Sequence, residues 1–236
     1  MIPLRDDVPR RHLPVITWIL IGANVAAFLY ELSLSAPELQ HLLYLSGLVP
    51  RRFADPEWAA ALHYPAPDLW PFLTCSFLHG GWLHLLGNVW MLWIFGDNVE
   101  DRLGPVRFLV FYTLCALLAG AVQFAANPMA EQPMIGASGA VAGVMGAYLV
   151  LYPRARVLML VPIFFWPFFF EVPALLFLMF WFVLQFYSGA LALSGAAGAE
   201  GVAWWAHVGG FLGGILLLAV LDRRPPRASR TVWVRR

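Results

Sequence analysis

A serine flanked by glycines precedes a long apolar segment in the second half of the sequence. Residues 136–143 read GASGAVAG, and a later apolar segment, 206–214, reads AHVGGFLGG. A serine becomes a nucleophile when a base takes its proton, and histidine is the commonest such base. Ser138 and His207 are therefore a candidate nucleophile–base dyad. A helix cap or packing contact would also explain Ser138, and a proton relay or buried donor would also explain His207.

Two further polar side chains lie in an earlier apolar segment. His84 and Asn88 are four residues apart, so a helix presents both on one face. Attack on a peptide carbonyl creates an oxyanion that needs preorganised donors, which these side chains and the backbone N–H of Ser138 at a helix start could supply. His79 is five residues before His84, well apart around a helix, which argues against a two-histidine metal pair. We predict neither metal nor cofactor.

The composition is that of an integral membrane protein. Of the 236 residues, 61% are hydrophobic and 12% are charged, whereas soluble domains have about 45–50% and about 25%. The net charge of +1 gives no indication about nucleic acid, but the absence of any basic–aromatic stretch argues against a nucleic-acid partner. Cys75 and Cys115 form neither a CxxC motif nor a disulfide framework, so we interpret both as packing residues.

Apolar segments of about 20 residues are typical of helices that cross a bilayer. The sequence predicts an all-α, six-transmembrane-helix bundle over residues 14–222, with a tail on each side at 1–13 and 223–236. Because prolines interrupt the region after the fourth span, we predict an apolar interfacial loop at 157–170 and a fifth helix that begins near Glu171. The expected spans are 14–33, 79–96, 106–126, 136–152, 171–189 and 202–221.

The distribution of basic residues predicts the orientation of the chain. All 15 basic residues are arginines, and an N-terminus in the cytoplasm leaves only Arg51 and Arg52 on the outer side. Both termini are then cytoplasmic, and the short tails favour a bacterial plasma membrane. In this orientation Ser138, His207, His84 and Asn88 all lie within about two turns of the outer ends of their helices. Polar groups at one depth on three helices predict a single water-accessible site.

Small residues predict close contact between the fourth and sixth helices. Gly139, Gly143 and Gly146 follow the serine, and Gly210 and Gly214 form a GxxxG motif just after His207. Glycines at this spacing allow two helix backbones to approach closely. A hydrogen bond of about 2.6–3.2 Å between serine and histidine requires such an approach.

Together these motifs resemble those of the rhomboid intramembrane serine proteases, over nearly the whole chain from about residue 14 to 222. The resemblance rests on HGGWLHLLGNVWMLWIFGDNVEDRLG (79–104), on GASG (136–139) and on AHVGGFLGG (206–214). It implies a nucleophile at Ser138, a base at His207 and an oxyanion-hole pair at His84 and Asn88. It also implies a structural pair, Glu100 and Arg102, in a cytoplasmic loop. Further residues expected to support the structure of the site are His79, Gly136, Gly139, Gly210 and Gly214.

The family's substrates are the transmembrane helices of other proteins within the lipid, and the fifth helix is its proposed lateral gate. Two positions depart from the family pattern: Pro71 follows Trp70 where many members have arginine, and Ala142 stands where some members have a tyrosine that stacks on the histidine. His207 must then be oriented by another group. Two alternatives remain, a catalytically silent relative that binds or sorts membrane helices, and a small transporter that uses His84 and His207 as a proton relay.

Overall fold

The computed structural model describes residues 1–65, 68–163, 166–194 and 202–222. Within these ranges the chain is mostly helical, with one small antiparallel sheet. The helices are α1 (Val15–Ser33), α2 (Ala36–Ser46), α3 (Pro50–Ala54), α4 (Pro56–Ala61), α5 (Pro71–Thr74), α6 (Trp82–Leu103), α7 (Pro105–Ala126), α8 (Ser138–Leu151), α9 (Ala174–Leu193) and α10 (Trp204–Leu221), and a 3-10 turn spans Cys75–Phe77. The strands are β1 (Ile2–Asp6), β2 (Arg156–Ile163) and β3 (Trp166–Pro173).

Helix α8 forms the centre of the fold. Each of its residues from 139 to 149 is buried, and the helix packs against α10, α7 and α6. The sequence permits this burial because α8 consists of small and apolar residues around its whole circumference. The central position of α8 surrounds its first residue, Ser138, with neighbouring helices.

Four of the described helices are long and apolar enough to cross a membrane, namely α1, α7, α9 and α10. Helix α8 is apolar but has only 14 residues, and α6 carries charged residues in its last turns. The helix ends follow from local sequence signals. Gly104, with a φ of 82°, ends α6, and Pro105 takes the first position of α7, where its missing N–H costs no hydrogen bond.

The prediction of an interfacial loop at 157–170, and with it an entirely helical fold, is wrong. Strands β2 and β3 pair antiparallel from Arg156↔Pro173 to Ile163↔Trp166. Alternate residues of β2 face the core, where Val157 and Met159 are buried. The period of two is hidden in the sequence because the outward-facing residues are also apolar. Helix α9 consequently begins at Ala174 rather than near Glu171.

The N-terminal segment 1–13, expected as a tail, contributes a strand to this sheet. Strand β1 pairs antiparallel with β2, so that Ile2 lies opposite Leu160. The Asp6 carboxylate accepts hydrogen bonds from the Tyr148 hydroxyl and, at 2.9 Å, from the Asn98 amide. Burial raises the pKa of Asp6 to about 6. The segment expected as a C-terminal tail, 223–236, lies outside the described residues.

Buried charged residues join the helices at the same end of the bundle as the sheet. Glu100 accepts hydrogen bonds from the backbone N–H groups of Ile16 and Thr17 at 2.9 and 2.8 Å, and so caps the start of α1. Arg102 binds both carboxylate oxygens of Asp222 at 2.9–3.0 Å through Nε, linking α6 to the end of α10. Glu100 and Arg102 therefore lie in the last turns of α6 rather than in a loop, and each contacts a different helix.

Candidate active site

Glycines bring the backbones of α8 and α10 into direct contact. A Cβ atom added at Gly210 would meet the carbonyl carbon of Gly139 at 2.8 Å, and one at Gly214 would meet that of Gly143 at 2.6 Å. Real Cβ atoms do not approach backbone this closely, so no larger side chain fits at either position. This contact brings the first turn of α10 beside the first turn of α8.

The glycine contact leads to a prediction about stability. Replacing Gly210 with alanine should force α8 and α10 apart, and we expect a loss of about 1–3 kcal/mol of unfolding free energy together with a loss of activity. The matched control is Gly22→Ala in α1, where an added Cβ meets nothing within 4 Å. Thermal unfolding in detergent, followed by circular dichroism, measures the stability of both variants, and cleavage of a model substrate measures their activity. Equal stability of the two variants would contradict the close contact.

Ser138 and His207 meet where these two helices begin. Ser138 is the first residue of α8, and His207 is the fourth residue of α10. The Nε2 atom of His207 lies 2.8 Å from the Oγ atom of Ser138. The serine is half-buried and the imidazole is 9% exposed. Because the unpaired N–H groups of a helix start surround Ser138, negative charge that develops there meets a positive environment.

Helix α9 contributes two side chains that contact the histidine. The Nδ1 atom of His207 lies 2.8 Å from Oε1 of Gln185, and the indole ring of Trp181 lies 5.7 Å from the imidazole, centroid to centroid. Gln185 is not among the site residues predicted from the sequence. The signal was present, because Gln185 is a polar residue inside the expected fifth span, where polar side chains are rare. Gln185 contacts the imidazole nitrogen that faces away from Ser138.

His84 and Asn88 lie together beside the residue two positions before the serine. Gly136 has a φ of +118°, and an added Cβ there would meet Cε1 of His84 at 2.6 Å and Nδ2 of Asn88 at 3.6 Å. The backbone N–H of Gly80 donates to Nδ1 of His84 at 3.3 Å. The proton of His84 is then on Nε2, which faces Gly136. The buried Nδ2 of Asn88 has no hydrogen-bond partner among the described residues.

His79 lies closer to His84 than its spacing in a helix predicts. Because α6 begins only at Trp82, His79 lies before the helix, and its ring is 5.1 Å from that of His84 in an edge-on contact. The backbone N–H of His79 donates to the buried carboxylate of Glu31 at 3.1 Å. Glu31, in α1, was also overlooked in the sequence, although it is a carboxylate within an expected span. The two residues join α1 to the start of α6.

A small cleft opens beside the serine. Its cavity volume is about 10 Å³, roughly the space of one water molecule, and its walls include Ser138 and Gly139. Small residues, among them Ala119, Ala203 and Ala206, form much of the remaining wall. Ser138, His207, His84, Asn88 and the cleft thus lie at one end of the bundle, opposite the end that carries the sheet. The arrangement is suited to acyl transfer from a bound carbonyl compound.

Comparisons with known proteins point to one family. The family described as Rhomboid domain matches residues 66–224. RHOMBOID-like protein 5 of Arabidopsis thaliana is 31% identical over 144 residues, which is 61% of this chain and 43% of that protein. Rhomboid protease GluP of Bacillus subtilis is 30% identical over 137 residues, 58% of this chain and 24% of that protein.

Rhomboid protease GlpG of Haemophilus influenzae is 31% identical over 90 residues, 36% of this chain and 45% of that protein. In each of these three comparisons the match spans less than half of the relative's own length. The family match nevertheless covers the three segments that carry the serine, the histidines and the asparagine. The chain is an integral membrane protein and belongs to the rhomboid family.

Proposed function

We propose that this protein is an intramembrane serine endopeptidase that cleaves the transmembrane segments of other membrane proteins. The observation that carries the proposal is the 2.8 Å contact between Nε2 of His207 and Oγ of Ser138. These residues are 69 positions apart in the chain, and they meet inside a bundle in which hydrogen-bonding side chains are rare. Relatives named as proteases, from Bacillus subtilis and Haemophilus influenzae, support the same reaction class.

The reaction follows from the geometry of the dyad. Oγ of Ser138 attacks the carbonyl carbon of the scissile bond as its proton passes to Nε2 of His207. The tetrahedral intermediate collapses when the C–N bond breaks and the imidazolium returns the proton to the leaving amine. A water molecule, deprotonated by the same imidazole, then hydrolyses the acyl–serine ester and regenerates the free hydroxyl.

The oxyanion of the tetrahedral intermediate would be stabilised by three donors. These are the backbone N–H of Ser138, Nε2 of His84 and Nδ2 of Asn88. Support comes from the tautomer of His84, whose Nδ1 accepts from Gly80, and from the unpaired amide of Asn88. A buried donor without a partner is costly, and a charge that appears during the reaction would offset that cost.

We further propose that all six helices α1, α6, α7, α8, α9 and α10 cross the membrane. The arginine distribution supports a cytoplasmic location for both ends of the chain. The dyad then lies one turn or less below the outer ends of α8 and α10, a depth of at most about 5 Å at 1.5 Å per residue. At this depth the cleft beside Ser138 has room for about one water molecule.

The site of cleavage tests the proposal. A substrate helix must unwind to expose a carbonyl, and its freed backbone groups need polar partners, which are available near the membrane surface. We expect purified protein to cut a model single-span substrate near its outer membrane boundary, in a stretch with small or helix-breaking residues. Mass spectrometry of the products locates the bond. A cut at the midplane or at the cytoplasmic face would contradict the assignment.

A further inference from the structure

The histidine of the candidate dyad is held from its far side by an amide. Nδ1 of His207 and Oε1 of Gln185 are 2.8 Å apart, and both side chains are buried. A carboxylate occupies this place in a Ser–His–Asp triad, where it fixes the tautomer and the orientation of the imidazole. Asp222, the acidic residue that follows α10, lies at the other end of that helix and binds Arg102. The amide is thus the candidate third group.

The orientation of the Gln185 amide determines the tautomer of the histidine. Nε2 of Gln185 lies 3.3 Å from the backbone carbonyl oxygen of Trp181. Because a carbonyl oxygen can only accept, the NH₂ group must point to Trp181 and Oε1 must point to His207. Nδ1 of His207 therefore carries the proton. The lone pair is left on Nε2, which is the atom that faces the hydroxyl of Ser138.

Gln185 and Trp181 belong to the most exposed of the long apolar helices. In α9, 22% of the residues of the apolar stretch are buried within the protein, whereas in α10 the buried share is 50%. The buried residues of α9 form one narrow stripe, consisting of Ala174, Leu178, Gln185 and Gly189. Trp181 and Gln185 are one turn apart and so share a face. If this face moves away from α10, the imidazole of His207 loses two contacts at once. These are the Gln185 amide, its only amide contact in the described part of the chain, and the Trp181 indole.

We propose that Gln185 is the positioning residue of the dyad. From α9 it holds His207 in the tautomer that can accept the Ser138 proton, so that the dyad is competent when α9 lies against α10. The inference rests on the proposed function. It adds a regulatory consequence: displacement of α9 towards the lipid would remove this contact and leave Ser138 without an oriented base. Attack by Ser138 then requires that α9 again lies against α10.

The test compares two substitutions at this position in the full-length protein in detergent. Gln185→Leu keeps the approximate volume of the side chain but removes the acceptor, and Gln185→Glu keeps an acceptor for Nδ1–H. We expect Gln185→Leu to lower kcat and the rate of labelling by a small fluorophosphonate by roughly 10- to 100-fold, with KM little changed. The rate of fluorophosphonate labelling in Gln185→Glu should be at least tenfold higher than in Gln185→Leu.

A second readout separates positioning from packing. In protein labelled with ¹⁵N-histidine, NMR should detect a proton on Nδ1 of His207 in the wild type and in Gln185→Glu, and a mixture of tautomers in Gln185→Leu. Because Gln185→Leu could also unfold the protein, thermal stability is measured for every variant. A wild-type tautomer and labelling rate in a folded Gln185→Leu protein would overturn the inference.

A matched pair of leucines on α9 tests the dependence on helix position. Leu178 is fully buried in the stripe two turns before Gln185, whereas Leu184 is 43% exposed. We expect Leu178→Ala to loosen α9 and slow fluorophosphonate labelling severalfold, and Leu184→Ala to leave it unchanged. Equal rates in the two variants would overturn the link to α9. A wild-type protein that is neither labelled nor active would instead refute the proposed protease function.

Discussion

Replacing Ser138 or His207 with alanine is expected to abolish proteolysis while leaving the protein folded in detergent. The serine variant lacks the nucleophile, and the histidine variant lacks the base that takes its proton at Nε2. Residues that act as a unit are not additive, so the double variant should be no worse than either single variant. Cleavage of a single-span substrate and labelling by a fluorophosphonate measure the loss.

Two matched substitutions control for this experiment. Ser33 is exposed and donates only to the backbone carbonyl of Tyr30 among the contacts described, and His41 is exposed on α2. We expect Ser33→Ala and His41→Ala to keep full activity. Treatment with EDTA should also leave the wild type active, because the dyad chemistry requires no metal. Unchanged cleavage by either dyad variant, or an EDTA-sensitive activity restored by zinc, would rule out the serine mechanism.

Removal of either side-chain oxyanion donor is expected to slow turnover strongly. Asn88→Ala or His84→Ala should each lower kcat by about 10²–10³, the scale observed when one oxyanion donor is lost. The effect should fall on kcat rather than on KM, because these donors meet a charge that exists only in the transition state. Steady-state kinetics with a soluble or detergent-solubilised substrate separate the two constants.

Two polar residues outside the cleft serve as controls for these donors. Asn24 is buried in α1 and donates to the carbonyl of Leu20 at 2.7 Å, and Nδ1 of His79 lies 3.2 Å from the carbonyl oxygen of Phe77. We expect Asn24→Ala and His79→Ala to lower thermal stability. Expressed as free energies, their loss of stability should be at least as large as their loss of transition-state stabilisation. If Asn88→Ala or His84→Ala changed KM alone, that residue would be reassigned to helix packing.

The candidate dyad was predictable because polar groups are conspicuous in an apolar sequence. Ser138, His207, His84 and Asn88 stood out against their spans, and the alternation of helix directions indicated that they share one end of the bundle. The structure brings Ser138 to His207, and both His84 and Asn88 to the backbone just before the serine. Hydrophobicity was sufficient for this much because α8 and α10 are apolar throughout and α6 is apolar around His84 and Asn88.

Other features depended on partners that are distant in the chain. The expected end of the second span at residue 96 ignored the charged turns of α6, which continue to Leu103. Those turns are stable because Glu100 caps α1 and Arg102 binds Asp222, and neither partner can be inferred from local sequence. The hairpin of β2 and β3 was hidden for a related reason, since residues that are apolar on both faces give no alternation.

The pairing of β1 with β2 has a consequence for the biogenesis of the protein. Ile2 lies opposite Leu160, so a strand that is synthesised before α1 must wait for a partner that is synthesised after α8. At about 5–20 residues per second, roughly 150 residues take about 8–30 s to synthesise. Through that interval β1 is an open strand edge, which is a risk for aggregation, and the charges of Arg5 and Asp6 oppose such pairing. Closure of the sheet therefore marks the stage at which the ribosome has completed α1 through α8.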